Sequence, residues 1–178
     1  LCYQLPAHIM DGTCMVISPL ISLMKDQVDA ATTTGLRAAY LNSSLSAAMK
    51  RKVAAELAAG ELDLIYVSPE RFAMPEFVET LKRVDLSFVA IDEAHCISEW
   101  GHNFRPDYLK LAGAAQACGA ERVLALTATA TPKVAADIAR GFDIEDRAVI
   151  RAPFYRENLE LHLTPVEARV RALESILV

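Results

Sequence analysis

The sequence has 178 residues, of which 53% are hydrophobic and 23% are charged, and its formal net charge is −5. That length predicts one domain with a sizeable core, and the apolar content excludes a mainly disordered chain. No run approaches the roughly 18–20 apolar residues of a membrane span, and the acidic balance excludes a global positive field that attracts nucleic acid. The four cysteines form no C-x-x-C pair, which favours buried reduced thiols over a zinc site or disulfides. We therefore expect a cytoplasmic protein with no membrane partner.

Apolar runs rich in β-branched residues alternate along the chain with amphipathic runs of helical spacing. In chain order we predict strand 13–17, helix 20–31, strand 38–41, helix 45–59, strand 62–67, helix 75–83, strand 86–91, helix 106–118, strand 122–127, helix 132–140 and a short strand at 148–150. The continuous apolar run at 86–91 is typical of a strand that is covered on both faces. This alternation predicts an α/β fold, in which a parallel sheet is flanked by helices on both faces with right-handed crossovers.

Ligands of parallel α/β sheets gather at the carboxyl ends of the strands. Four segments follow predicted strands there with polar chemistry: residues 18–20, 66–71, 92–95 and 127–131. The adjacent carboxylates of Asp92 and Glu93 are costly to hold beside a core without a counter-charge, and a magnesium ion with nucleotide phosphates would supply one. The alternative is that both carboxylates cap the next turn, with Asp92 as its N-cap.

The tetrapeptide Asp92-Glu93-Ala94-His95 follows the apolar strand directly. It resembles motif II, D-E-x-H, of the superfamily 2 helicases. Residues 96–108 look like the aromatic-rich loop that marks the RecQ family, and residues 18–28, 66–71 and 126–131 are similar to that family's motifs Ia, Ib and III. These matches occur in the expected order over nearly the whole chain.

The resemblance implies a RecA-like motor domain that uses ATP and Mg²⁺. Asp92 would then be the magnesium ligand, and Glu93 the base that positions the hydrolytic water. His95 would connect the nucleotide site to motif III hydroxyls, namely Thr127 and Thr129, because a neutral imidazole can donate to one neighbour and accept from another. A local cap or a solvent contact is the alternative role of His95.

Single-stranded and duplex DNA are the partners that the resemblance implies. Hydroxyls and backbone amides can hold phosphates without a large positive charge, and aromatic faces stack on unpaired bases. The candidate DNA-binding residues are Ser18, Lys25, Ser68, Arg71, Trp100, His102, Phe104 and Arg105. Two alternatives without a DNA-binding role stay open. Trp100 and Phe104 could pack between the loop and the core, and each Ser-Pro pair after a strand, at 18–19 and 68–69, could be an ordinary turn. The basic run at 50–52 is assigned to a solvated helix face.

The sequence contains no G-x-x-x-x-G-K-[ST] phosphate loop, which the family carries just upstream of a helix like residues 1–7. We therefore expect residues 1–151 to be a partial, N-terminally truncated first RecA-like domain of P-loop NTPase type. Residues 152–178 are expected to be a linker and the start of a second RecA-like domain. The resemblance implies a 3′–5′ DNA helicase of repair and recombination, inactive as this fragment alone. A non-catalytic DNA-binding or regulatory module and an RNA-remodelling relative are the alternatives.

Overall fold

A five-stranded parallel sheet organises the computed structural model, which describes residues 1–100, 103–152 and 158–159. The strands are β1 (Thr13–Ile17), β2 (Ala38–Leu41), β3 (Leu64–Val67), β4 (Leu86–Ile91) and β5 (Val123–Ala125). Their order across the sheet is β2-β3-β1-β4-β5. The helices are α1 (Gln4–Ile9), α2 (Ile21–Thr33), α3 (Ala47–Ala58), α4 (Pro75–Leu81), α5 (Pro106–Ala117) and α6 (Pro132–Gly141). The predicted α/β fold is confirmed.

Three 3₁₀ turns complete the described secondary structure: Pro69–Ala73, Ala94–Ile97 and Asp146–Ala148. The last of these replaces the short strand that we predicted at 148–150, and that prediction is wrong. A strand requires a hydrogen-bonded neighbour, whereas Ile150 is 95% exposed and β5 pairs only with β4 among the described residues. An apolar tripeptide by itself therefore does not specify a strand.

Both faces of the sheet are buried, as the continuous apolar strands predict. Alternate residues of β1 enter two different clusters of the core, because side chains alternate across a strand. Met15 and Ile17 pack with Tyr108, Leu111 and other residues on one face. Cys14 and Val16 pack with a second cluster on the other face. No helix in the described part of the chain is long and apolar enough to cross a membrane.

Backbone hydrogen bonds continue past the strand ends and fix the segments that follow them. The amide of Asp92 donates to the carbonyl of Ile17 over 2.8 Å, and the amide of Leu126 donates to the carbonyl of Ile91 over 2.8 Å. The amide of Ala94 then donates to the carbonyl of Leu126, also over 2.8 Å. The tetrapeptide 92–95 and the segment that begins at Thr127 are therefore held side by side at the carboxyl edge of the sheet.

Candidate functional site

The Asp92 carboxylate lies half-buried at the end of β4, and hydrogen bonds to both of its oxygens fix its orientation. Ser18 Oγ donates to Oδ2 over 3.0 Å, and the Glu93 amide donates to Oδ1 over 3.0 Å. The hydroxyl of Tyr108 donates to the Asp92 carbonyl oxygen, also over 3.0 Å. Each carboxylate oxygen can accept more than one hydrogen bond, so the carboxylate keeps capacity for a further ligand.

Glu93 and His95 link this carboxylate to the segment after β5. Glu93 has a φ of +50°, the left-handed conformation that is uncommon for a residue with a side chain. His95 is 3% exposed, and its Nδ1 lies 3.1 Å from Glu93 Oε2 and 3.0 Å from Thr127 Oγ1. The Thr129 amide donates in turn to Thr127 Oγ1 over 3.2 Å. A line of polar contacts therefore runs from the acidic pair to the threonines.

The residues at this edge fit one divalent cation shared with phosphates better than a cation held by protein alone. Among residues 1–100 and 103–152, no group of three or more His, Cys, Asp or Glu side chains is placed to hold a metal ion. Magnesium commonly takes one or two carboxylates and completes its shell with water and substrate phosphates. An oriented carboxylate such as that of Asp92 supplies the oxygen donor that this arrangement needs.

Residues 96–100 follow the acidic tetrapeptide and end at an exposed aromatic side chain, that of Trp100. Trp100 is 68% exposed, and the Nζ of Lys133 lies 3.2 Å from the centroid of its ring. The Trp100 exposure argues against a packing role, which better fits the half-buried Phe104. Arg105 is exposed, and its amide donates to the Cys96 carbonyl over 2.9 Å. His102, which we also predicted to contact DNA, lies outside the described residues.

The other four predicted DNA contacts differ in accessibility. Ser18 is 4% exposed and bonded to the acidic pair, and Ser68 is fully buried. The guanidinium of Arg71 is half-buried and lies 5.5 Å from the centroid of the Phe77 ring. Lys25 is exposed on α2, where it forms an ion pair with Asp29. Lys25 is thus the only exposed member of the four.

Comparison with known proteins places this geometry in a family. Residues 1–138 match the family model described as DEAD/DEAH box helicase. The chain belongs to the DEAD/DEAH box helicase family. It is 45% identical over 163 residues to the ATP-dependent DNA helicase RecQ of Pasteurella multocida, a match that covers 92% of this chain and 26% of that protein. It is 44% identical over 175 residues to RecQ of Bacillus subtilis, covering 98% of this chain and 30% of that protein. The resemblance to RecQ helicases is therefore confirmed.

The helicase fold is also found by comparison with solved structures. A hypothetical ATP-dependent RNA helicase from Sulfolobus tokodaii superposes with a TM-score of 0.57 at 16% identity, covering 79% of this chain and 40% of that one. At this identity the likeness shows the fold alone, which is RecA-like as predicted. The chain spans 26–30% of the length of the two bacterial RecQ relatives.

Sequence reasoning gave no specific role to three residues that make contacts near this edge of the sheet. The hydroxyl of Tyr108, at the end of the aromatic-rich loop, donates to the carbonyl oxygen of Asp92. Ser98 and Asp137 were not considered, although Ser98 Oγ donates to Asp137 Oδ2 over 2.7 Å. No sequence signal marks the last pair, because the two residues are 39 positions apart and Asp137 belongs to no helicase motif that we identified. Their proximity follows from the packing of α6 against the turn Ala94–Ile97.

Proposed function

We propose that this chain carries part of the ATP-hydrolysing site of a DNA helicase. The helicase couples ATP hydrolysis to movement along single-stranded DNA and to duplex unwinding. The observation that carries the proposal is the Asp92 carboxylate, oriented by Ser18 and the Glu93 amide and connected through His95 to Thr127. The printed names of the RecQ relatives, which are ATP-dependent DNA helicases, support the same activity.

In this proposal Asp92 would hold a magnesium ion, which would supply positive charge to the nucleotide phosphates. Glu93 accepts a hydrogen bond from the attacking water and orients it. The imidazole of His95, which lies within 3.1 Å of the Glu93 carboxylate and 3.0 Å of the Thr127 hydroxyl, keeps these two groups in register. Thr127 and Thr129 connect the nucleotide site, through these hydrogen bonds, to the segment that leads into α6.

The DNA side of the proposed helicase centres on three residues that face solvent. Trp100 presents an aromatic surface on which an unpaired base can stack, and Arg105 and Lys25 offer charge to phosphates. The half-buried Arg71 and His102, which lies outside the described residues, are further proposed contacts, and the half-buried Phe104 and the buried Ser18 and Ser68 would support them from below. We further propose 3′–5′ movement, a role in DNA repair and recombination, and a cytoplasmic location at the nucleoid if the source is bacterial.

We also propose that residues 1–151 form the first RecA-like domain and that residues 152–178 lead into a second one. A second domain would complete the nucleotide site from the opposite side and supply an arginine to the transferred phosphoryl group. The 178-residue sequence contains no phosphate-loop motif. The isolated chain is therefore expected to hydrolyse ATP negligibly with or without single-stranded DNA.

Unwinding by the longer protein that contains this chain tests the proposal. The wild type should separate a tailed DNA duplex in the presence of ATP and Mg²⁺ but leave a tailed RNA duplex paired. Glu93→Gln should lower DNA-stimulated ATP hydrolysis by about 100-fold or more, because it removes the group that orients the water. The control is Glu121→Gln, which changes an exposed acid before β5, at the opposite edge of the sheet, and should retain wild-type hydrolysis.

Two results would contradict the proposal. Separation of RNA but not DNA would reassign the substrate to RNA. DNA binding with no ATP hydrolysis by the wild type would favour a non-catalytic DNA-binding or regulatory module.

A further inference from the structure

A buried hydrogen bond joins the start of the aromatic loop to α6. Ser98 is 1% exposed, and its Oγ donates to Asp137 Oδ2 over 2.7 Å. The same Oγ accepts from the Trp100 amide over 3.2 Å, so the serine fixes both the helix and the backbone of the exposed tryptophan. Arg140 donates to the other Asp137 oxygen over 3.2 Å from a position that is largely exposed. Asp137 is thus the point on α6 to which the loop is attached.

Two more contacts lie on the same stripe of α6, four residues to either side of Asp137. Lys133 lies over the ring of Trp100, with Nζ 3.2 Å from the ring centroid. Gly141 faces Ile97 so closely that a Cβ at this position would overlap the Cδ1 methyl of the isoleucine. Positions spaced by four residues share one face of a helix. One face of α6 therefore contacts three described residues at the start of the loop: Ile97, Ser98 and Trp100.

The other attachment of α6 is to the nucleotide edge. The helix begins directly after the motif III segment, and the hydroxyl of Thr131 accepts from the Val134 amide at its N-terminus. Four residues earlier, Thr127 contacts the buried ring of His95. A single short helix therefore connects the threonine segment to the residues that hold Trp100.

We propose that Asp137 is a positioning residue, which holds the aromatic loop in the geometry that lets DNA binding stimulate ATP hydrolysis. It acts through Ser98 and not by contact with DNA or nucleotide. This inference rests on the proposed function, because it assigns a coupling role within the helicase. The hydrogen bond, and not the charge of the carboxylate, is the feature that matters, since Arg140 pairs with Asp137 only at the surface.

The experiment measures ATP hydrolysis by the longer protein as a function of single-stranded DNA concentration. Asp137→Ala should raise the DNA concentration for half-maximal stimulation about tenfold, while the KM for ATP stays within about twofold of the wild type. Ser98→Ala should produce the same shift, and the double variant no more than either alone. Asp137→Asn keeps an acceptor oxygen for Ser98 and should restore the wild-type DNA dependence. Arg140→Ala, which removes only the exposed partner, is the matched control and should behave as the wild type.

A second measurement reports on the loop without ATP. Trp100 is the only tryptophan of the 178 residues, so its quenching by acrylamide in this chain follows the loop directly. Quenching should increase in Asp137→Ala and Ser98→Ala and remain unchanged in Asp137→Asn and Arg140→Ala. A variant that merely unfolds would lower the maximal rate without shifting the DNA dependence, and Asp137→Asn separates this case from a loss of positioning.

The two proposals fail in different ways. Normal DNA stimulation in the wild type, together with unchanged DNA dependence and unchanged Trp100 quenching in Asp137→Ala, overturns the positioning role alone. Absence of DNA-stimulated hydrolysis in the wild type overturns the helicase function and the coupling role with it, whatever the quenching of Trp100.

Discussion

Replacing Tyr108 by phenylalanine removes one hydroxyl group. It tests how much the hydrogen bond from Tyr108 to the backbone of Asp92 contributes to the free energy of unfolding. Tyr108 is fully buried at the start of α5, and its hydroxyl donates to the carbonyl oxygen of Asp92 over 3.0 Å. Burial raises the pKa of Tyr108 well above its ordinary value. The phenol therefore remains a donor throughout the neutral and mildly alkaline range, and the bond does not depend on pH there.

The magnitude follows from the full burial of Tyr108 and the partial burial of Asp92. A typical hydrogen bond contributes about 0.5–1.5 kcal/mol to the free energy of unfolding, and leaving a buried acceptor without its donor costs about 1–3 kcal/mol. Because the ring itself is retained in Tyr108→Phe, no large cavity is created. We expect a loss of about 1–2 kcal/mol, which for a chain of this size lowers Tm by about 3–6 °C.

The assay is urea unfolding of the chain followed by circular dichroism at pH 7 and pH 9. Tyr40→Phe is the matched control, since this half-buried tyrosine lies on the edge strand β2 far from Asp92 in the sheet order. Tyr108→Phe should be the more destabilised of the two at both pH values by about 1 kcal/mol. Equal stability of the two variants would refute the view that the hydroxyl of Tyr108 supports Asp92.

Three further predictions concern the stability of the fold around the sheet: a glycine before β1, an ion pair and the N-cap of α3. Gly12 has a φ of +88° and a backbone oxygen 2.8 Å from the position of an added Cβ, so Gly12→Ala should cost about 2–4 kcal/mol. Gly35→Ala, at φ +90° with nothing within 4 Å, should cost only about 1 kcal/mol, and equal losses in denaturant melts would be inconsistent with this clash. The Arg37 side chain donates to Asp63 and lowers its pKa, so the stabilisation lost in Asp63→Asn is present above the ordinary carboxyl pKa and disappears as the pH falls through the lower folded value. At neutral pH this stabilisation should be small because Arg37 is exposed to solvent, and a difference that persists at pH 2 would argue against the ion pair. Ser46→Ala removes the N-cap of α3 and should lower the free energy of unfolding by about 1 kcal/mol in the same melts. An unchanged denaturation midpoint would show that the cap does not stabilise the protein.

Three of the five strands were predicted with the correct bounds. β1, β2 and β4 match residues 13–17, 38–41 and 86–91, because an uninterrupted apolar run of this length has few alternatives in an α/β chain. The third strand begins at Leu64 instead of 62, since Asp63 turns its carboxylate to Arg37 at the surface. The fifth strand is three residues long instead of six, because its register with β4 covers only Val123–Ala125.

The site was predictable where the sequence carries a motif and unpredictable where packing alone joins residues. The tetrapeptide identified Asp92, Glu93 and His95, and the structure brings all three together with Thr127. The burial of Ser68 was not expected from its position after a strand. Contacts between distant segments, such as the hydrogen bond from the Tyr108 hydroxyl to the carbonyl of Asp92, depend on how α5 packs against the sheet. No pattern in the local sequence indicates them.

The central claim is that the acidic pair after β4 holds a divalent cation against a polyphosphate. The most direct test is the Mg²⁺ dependence of ATP hydrolysis by the longer protein at saturating single-stranded DNA, compared between the wild type, Asp92→Asn and the exposed-acid control Asp11→Asn, which precedes β1 at the opposite edge of the sheet. The Mg²⁺ concentration for half-maximal hydrolysis should rise about tenfold or more in Asp92→Asn and remain unchanged in Asp11→Asn. Identical Mg²⁺ curves for Asp92→Asn and the wild type would contradict the claim.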